Sequence, residues 1–276
     1  MTMKSKQYIV VAGLLFVMSS LLLLMGCSSS ENTPQVSAEE RYARGMKMYE
    51  DEDFLEAIDE FRVITLQFQG MALADDAQFM MGECRFQREE FVLAAYEYEL
   101  LYRTMPTSEY VARARYKSAE SYFNLSAPSY LDQDYTKKAI DGFQAFIEYY
   151  PTDSLVSEAE KKITELNSKL ARKEFENGLI YMKMEYYRAA IVSFDYVLEH
   201  YHDTPYAEPA LFRKAEALYA RKKYEEAKEE LERFLRKYPS SNLKDAAESL
   251  RRSIDGALSA ESELRSRHVG RTQYSV

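Results

Sequence analysis

The residues of this chain best suited to chemistry are three histidines and two cysteines. His200 and His202 have a spacing that could chelate a metal ion, but neither a cysteine nor the third histidine, His268, lies near them in sequence. We therefore expect a surface loop and no metal. The sequence also lacks a glycine-rich phosphate loop, a nucleophile elbow, a zincin helix and a paired-cysteine motif. These observations favour a protein that is not an enzyme. A convergent acid pair acting on peptidoglycan stays an open alternative.

Cys27 is the cysteine most suited to covalent modification. A short basic segment precedes an apolar run over residues 8–24, and residues 24–27 read Leu-Met-Gly-Cys. The pattern is typical of a secretory signal, and the tetrapeptide resembles the lipobox of bacterial lipoproteins. That resemblance implies cleavage before Cys27 and acylation of its thiol and new amine. Acyl chains buried at ~0.8 kcal/mol per methylene would hold the protein at a membrane surface. A retained anchor helix is the alternative, because the apolar run is long enough to span a bilayer.

Cys84 has no partner in the chain once Cys27 carries lipid, so we expect no intramolecular disulfide. It lies in an apolar helical pattern, which favours a buried thiol over a reactive one. Residues 27–37 are polar and aperiodic, as is typical of a flexible tether. Ser28 stands where lipoproteins retained at the inner membrane often have Asp, so the lipoprotein resemblance favours the outer membrane.

The composition limits the fold and the partners. The chain has 276 residues, a net charge of −9, 29% charged residues, 9 glycines and 7 prolines. The charged fraction excludes a polytopic membrane protein, and the scarcity of glycine and proline argues against an all-β fold. The acidic balance argues against a nucleic-acid partner, because phosphate binding needs a basic surface.

Four segments of the chain share a repeat. In each, a small residue is followed twelve positions later by an alanine, which has an aromatic three residues before it and a large apolar residue four after it. The small residues and their alanines are Gly45 and Ala57, Gly82 and Ala94, Gly178 and Ala190, and Ala215 and Ala227. This spacing predicts helical hairpins in which small residues allow close approach, and Pro106 and Pro239 end two of them. The template resembles the tetratricopeptide repeat.

A fifth unit, third in chain order, is longer. Ala119 and Ala139 are twenty positions apart, and the surplus falls in residues 125–134, which predict a loop. Thr136 stands where the other units have an aromatic. Apolar residues recur at three and four positions after Pro151, which predicts one long helix over about residues 155–183, roughly 45 Å long.

The predicted fold is therefore all-α, a tetratricopeptide-repeat solenoid of five helical hairpins with a long helix joining the third and fourth. The predicted organisation is a lipoprotein signal peptide over 1–26, a tether over 27–37, repeats one to three over 38–153, the bridging helix with repeats four and five over 154–255, and a polar tail over 256–276.

Aromatic residues recur on one face of the first helix of each repeat. The six that fall in repeats one to three, called here the aromatic row, are Tyr42, Tyr49, Phe79, Phe86, Tyr116 and Phe123. The row is a candidate surface for aromatic or apolar peptide side chains, with Arg113, Arg115 and Lys117 as cationic contacts. Packing between helices explains most of the rings equally simply and is favoured for most of them, and a solvated helix face explains the charges.

The segment from Leu170 to Glu174, with the Tyr-Tyr and Ala-Ala pairs at 186–187 and 189–190, resembles the BamD family of outer-membrane lipoproteins. The Asp-Gln-Asp sequence at residues 132–134 is similar to that family's third-repeat insertion. Ser193 stands where members often carry Arg, so a charged contact there is not expected.

The resemblance implies a non-catalytic, lipid-anchored scaffold at the periplasmic face of the outer membrane, with no cofactor besides the lipid on Cys27. Its carboxyl-terminal repeats would bind a POTRA domain of BamA, and its amino-terminal repeats would receive unfolded outer-membrane proteins. A periplasmic tetratricopeptide adaptor linked to Tol-Pal and cell-wall synthesis is the alternative.

Overall fold

The computed structural model describes residues 36–272, with side chains to residue 265, and this range is helical with short connections. The chain divides into two compact units, residues 1–40 and 41–276, and the fold reported below is that of the second. The predicted signal segment, Cys27 and nearly all of the tether lie outside the described residues. Among the described helices, none is long and apolar enough to cross a membrane.

Eleven helices follow one another over the described range. They are α1 (Ala38–Glu50), α2 (Phe54–Gln67), α3 (Leu73–Gln87), α4 (Phe91–Thr104), α5 (Val111–Asn124), α6 (Asp134–Tyr149), α7 (Val156–Lys183), α8 (Tyr187–His200), α9 (Ala207–Ala220), α10 (Tyr224–Lys237) and α11 (Lys244–Thr272). From α2 onward each helix packs against the next, and α1 contacts α2 through Tyr42 and Phe61. The predicted all-α solenoid of five hairpins is confirmed, with α11 closing the carboxyl-terminal end.

The two unusual features of the middle of the chain are also as predicted. The third hairpin, α5 with α6, has a loop over residues 125–133, and α7 runs unbroken through 28 residues. The first half of α7 packs on repeat three through Ala159 and Leu166, and its second half packs on α8 through Ala171 and Gly178. One helix therefore covers the end of repeat three and supplies the first helix of repeat four.

Small residues set the distance between the helices of a hairpin. A Cβ atom added at Gly82 would lie 2.7 Å from Cδ1 of Tyr98, and one added at Gly178 would lie 2.8 Å from Cδ1 of Phe194. Both distances are far below ordinary van der Waals contact, so no larger residue fits without movement. The rings that occupy this space are fully buried.

The hairpin turns share a backbone conformation. Glu52, Glu89, Glu185 and Lys222 all have φ near 60°, the left-handed region, and each stands seven residues after the small residue of its repeat. This conformation costs a non-glycine residue roughly 1–2 kcal/mol. The elongated third unit connects its helices by the longer loop instead.

The carboxyl-terminal helix differs from the predicted boundary at residue 256. Helix α11 passes through Gly256 and continues to Thr272, although the sequence after that glycine reads as a polar tail. Leu250, Ile254 and Leu258 pack on α9 and α10 and close the core of repeat five. Beyond Leu258 the described side chains, residues 259–265, are all exposed.

Candidate functional site

The histidine pair lies on the surface. His200 is the last residue of α8 and His202 lies in the turn that follows, and both are exposed. The His200 ring stacks on Tyr196 with centroids 4.1 Å apart, and its Nδ1 lies 3.1 Å from the Tyr196 carbonyl oxygen. No group of three or more His, Cys, Asp or Glu in the described part of the chain could hold a metal ion. The side chain of His268 lies outside that part.

Cys84 lies in α3 and is fully buried as a free thiol. Burial, with a smaller contribution from the Glu83 carboxylate, raises the pKa of Cys84 to about 12. A thiol with this pKa stays protonated at physiological pH, and the thiolate is the reactive form. Cys84 is therefore a packing residue.

The aromatic row lies between the two helices of each hairpin. Phe79 and Tyr116 are 4% exposed, whereas Tyr42, Tyr49, Phe86 and Phe123 are partly buried. Every ring of the row is within 6.4 Å, centroid to centroid, of a ring on the second helix of its own hairpin; the pairs are Tyr42–Phe61, Tyr49–Phe54, Phe79–Tyr98, Phe86–Phe91, Tyr116–Phe143 and Phe123–Phe143. The row contributes to the core, and the four partly buried rings also keep accessible edges. Its use as a peptide-binding surface stays a prediction.

Charged side chains join the first helices of repeats two to four. Lys117 on α5 lies 3.6 Å from Glu83 of α3 and 3.2 Å from Glu120. Lys162 on α7 lies 3.3 Å from the same Glu120 and 3.7 Å from Glu158. We call these five residues the charge ladder. The ladder residues alternate in charge, so ion pairs connect the three helices. Glu83, Lys117, Glu120 and Lys162 are little exposed, which reduces the screening of these ion pairs by salt.

A hydrogen bond from the second helix of repeat two holds Glu83, the first residue of the charge ladder. The buried Tyr98 hydroxyl donates a hydrogen bond of 2.6 Å to Oε1 of Glu83, the oxygen that also faces Lys117. Burial and the adjacent Glu83 carboxylate raise the pKa of Tyr98 well above its usual value. The phenol therefore stays a donor, and Glu83 is held as an acceptor.

Two lysines of the ladder also cover rings of the aromatic row. Lys117 Nζ lies 4.2 Å from the centre of the Phe86 ring, and Lys162 Nζ lies 4.5 Å from that of Phe123. Such cation–π contacts contribute about 0.5–2 kcal/mol, depending on exposure. One face of each of these two rings is therefore covered by an ammonium group that is itself ion-paired.

The three cations predicted beside the row separate onto two faces of α5. Arg113 lies over Phe79 at 5.4 Å, on the same face as Lys117. Arg115 does not reach the row; it is held between Tyr102 and Tyr149 at 4.4 and 4.5 Å. Residues two apart on a helix point in nearly opposite directions, whereas residues four apart share a face. The expectation for Arg115 is therefore wrong, and helical spacing explains why.

The loop of the third repeat is fixed onto α7. Lys169 Nζ donates to the Ser126 hydroxyl at 2.7 Å, and Lys173 Nζ donates to the Leu131 carbonyl at 2.6 Å. The Gln133 side-chain amide donates to the carbonyls of Pro128 and Leu131 from within the loop. Burial lowers the pKa of Lys169. These hydrogen bonds therefore hold the loop in place against α7.

Repeat four carries an exposed apolar surface. Ile180, Met184, Tyr186 and Val192, around the turn from α7 to α8, are each more than half exposed. Ile180 and Met184, the residue that caps α7, lie on one side of that helix, because residues four apart share a face. This segment is part of the sequence resemblance, but the sequence does not predict that these apolar side chains are exposed.

Comparison with known proteins gives a consistent result. A model of the outer membrane lipoprotein family YfiO matches residues 34–220, and a tetratricopeptide-repeat model matches residues 209–241. The outer membrane protein assembly factor BamD of Rickettsia prowazekii is 27% identical over 222 residues, covering 80% of this chain and 88% of that protein. The BamD of Caulobacter vibrioides is 29% identical over 211 residues, covering 74% and 68%, respectively.

The family match covers all of repeats one to four and the long helix α7, the features by which the sequence resembles BamD proteins. The predicted resemblance is thereby confirmed, and the chain belongs to the outer membrane lipoprotein family YfiO.

Proposed function

We propose that this protein is a lipid-anchored, non-catalytic scaffold that helps to assemble outer-membrane proteins. The observation that carries the proposal is the similarity, over about three quarters of the chain, to proteins named as outer membrane protein assembly factors. The lipid would be carried by Cys27 at the periplasmic face of the outer membrane, with the repeats extending into the periplasm. A solenoid that presents shape and charge suits this role, because it offers an extended surface to other polypeptides.

The substrate surface in this proposal consists of the four partly accessible rings of the aromatic row, Tyr42, Tyr49, Phe86 and Phe123. Tyr42 and Tyr49 in repeat one have no lysine over their rings, whereas Phe86 and Phe123 are covered by Lys117 and Lys162 within the described structure. An apolar strand of an unfolded outer-membrane protein would therefore engage repeat one first. Entry further along the row would displace the lysine ammonium groups.

The exposed apolar surface of repeat four, around Met184 and Tyr186, is the proposed contact for a POTRA domain of BamA. It is far along the solenoid from repeat one, so one chain could hold both partners at once. Ser193, where an Arg is common in BamD proteins, is buried, so we propose an apolar rather than a charged contact here.

Site-specific photocrosslinking in cells separates the substrate and partner surfaces. A photoreactive residue at Tyr49 should crosslink to unfolded outer-membrane proteins, and one at Tyr186 should crosslink to BamA. Tyr96, which is 59% exposed on the second helix of repeat two, is the matched control and should crosslink to neither. Crosslinks from Tyr49 only within this chain would contradict the substrate surface.

The partner is tested by purification through the lipidated chain. Recovery of BamA supports the proposal. Recovery of Tol or cell-wall proteins without BamA would favour the adaptor alternative. Mass spectrometry of the same material should find Cys27 as an acylated amino terminus, and an unmodified thiol there would refute the anchor.

A further inference from the structure

A large cavity lies at the edge of the solenoid between repeats one and two, away from the aromatic row. It is open to solvent, has a volume of about 730 Å³ and is lined by the ends of α2 and α4, the start of α3 and the two inter-repeat connections. We call it the turn cavity. Its size falls within the range of about 300–1,000 Å³ that is usual for ligand sites.

The walls of the turn cavity are partly apolar. Leu66, Met71, Leu100 and Met105 line it, and Leu66 and Met71 are 66% and 44% exposed. Methionine side chains are flexible and adapt to partners of different shape. The cavity therefore offers an apolar surface that the fold leaves uncovered.

The one full charge in the wall of the turn cavity is negative. Asp75 is the single charged residue among those that line the cavity. Its carboxylate makes no ion pair and no hydrogen bond within the described chain. Helices α2 and α4 both end here, and a helix carboxyl terminus carries a partial negative charge with unpaired carbonyl groups. The last turn of α2 has no basic residue. The last turn of α4 has Arg103, which is paired with Glu99 at 3.1 Å.

Several of the donors in the wall are already used, although the Gln69 amide and the Thr107 hydroxyl have no partner within the described chain. The Thr65 and Thr104 hydroxyls donate to carbonyls of their own helices, at 3.0 and 2.7 Å. The buried Gln78 amide donates to the side-chain and backbone oxygens of Glu97 at 2.8 and 3.0 Å. For a bound segment the wall therefore offers one carboxylate, the carbonyl groups of two helix ends, neutral donors and an apolar surface.

We propose that the turn cavity binds a polypeptide segment that carries a lysine or arginine beside apolar side chains. The cation would pair with Asp75 and the helix-end carbonyls, and the flanking apolar groups would cover Leu66 and Met71. A charge-assisted hydrogen bond to an unpaired carboxylate supplies the selectivity. This inference does not depend on the proposed assembly role, because the cavity shares no residue with the aromatic row or with the apolar surface of repeat four.

The test uses the full-length chain in detergent and three end-blocked fluorescent peptides. The first has the sequence Gly-Leu-Lys-Leu-Phe-Gly, and the others replace its lysine by norleucine or glutamate. By fluorescence anisotropy at low salt, the lysine peptide should bind roughly tenfold more tightly than the norleucine peptide, the size expected for one partly shielded charged contact. The glutamate peptide should not bind. Equal binding of the lysine and norleucine peptides would overturn the proposal.

Two variants locate the binding. Asp75→Asn should remove the preference for lysine over norleucine, whereas Asp245→Asn, which changes an exposed acid in the first turn of α11, should preserve it. Met71→Lys places a competing cation in the cavity wall and should weaken binding of the lysine peptide at least about tenfold.

An unchanged lysine preference in Asp75→Asn would place the peptide elsewhere and refute the site. Sedimentation of the chain alone tests the other occupant. Self-association that Met71→Lys abolishes, without any peptide binding, would show that a second copy fills the cavity and would overturn the proposal.

Discussion

Replacing Gly178 by alanine tests how closely the hairpin helices must approach. The added Cβ would lie 2.8 Å from both Cδ1 and Cζ of Phe194, and Phe194 is completely buried. Overpacking of this kind costs about 1–3 kcal/mol, and the short distances place the cost near the upper end. Alanine regains about 1 kcal/mol because glycine is a poor helix former. The expected net loss is about 2 kcal/mol.

The assay is thermal unfolding followed by circular dichroism, with Gly256→Ala as the matched control. Gly256 also lies inside a helix, but a Cβ there would meet nothing within 4 Å. We expect the midpoint to fall by about 4–8 °C for Gly178→Ala and to rise by about 2 °C for Gly256→Ala.

A double variant, Gly178→Ala with Phe194→Leu, should be more stable than the sum of the two single changes predicts, because the smaller side chain makes room for the methyl group. If Gly178→Ala raised the midpoint as Gly256→Ala does, the reasoning from close approach would be refuted.

Three further changes have defined outcomes. Lys222→Gly relieves a left-handed residue and should stabilise the chain by roughly 1 kcal/mol in urea unfolding, and no gain would mean that the turn is not strained. Cys84, in a chain carrying Cys27→Ser, should resist a thiol reagent at pH 8 until urea is added, because burial raises its pKa to about 12; rapid native labelling would contradict its burial. Hydrogen bonds from Arg85 and Arg88 lower the pKa of Glu90, so its contribution to stability is present above the usual glutamate pKa and is lost as pH falls through the lowered value. Glu90→Gln should therefore lower the midpoint at pH 7 but not at pH 2, and an equal loss at both values would exclude the ionic cause.

Much of the fold can be predicted because one template recurs. A small residue, an alanine and an aromatic at fixed spacing define where two helices touch, and α7 is recognisable from its uninterrupted apolar period. The end of α11 could not be predicted in the same way. After Leu258 the helix has no apolar stripe and mixes good and poor helix formers, so the sequence there gives no helical signal.

The candidate site was less accessible to prediction. The sequence places the aromatic rings on one helix face, but it does not show that Glu83, Lys117 and Lys162, 34 and 45 residues apart along the chain, meet across three helices. These contacts depend on how repeats stack, which single-repeat spacing does not specify. Helical angle alone, however, separates Arg113 and Lys117 from Arg115, and that signal was present in the sequence.

On the face formed by the first helices of the repeats, the ion pairs that join the repeats also reduce access to the aromatic rings. Lys117 joins repeats two and three through Glu83 and Glu120, and the same ammonium group covers the Phe86 ring. A peptide that reaches this ring must move a charge away from two partly buried carboxylates, and unpaired charges of this kind are costly. Repeat one imposes no such cost, since Tyr49 has no cation over its ring in the described structure. If the aromatic row binds peptides as proposed, this arrangement would restrict low-cost binding to repeat one, because the charge ladder covers Phe86 and Phe123.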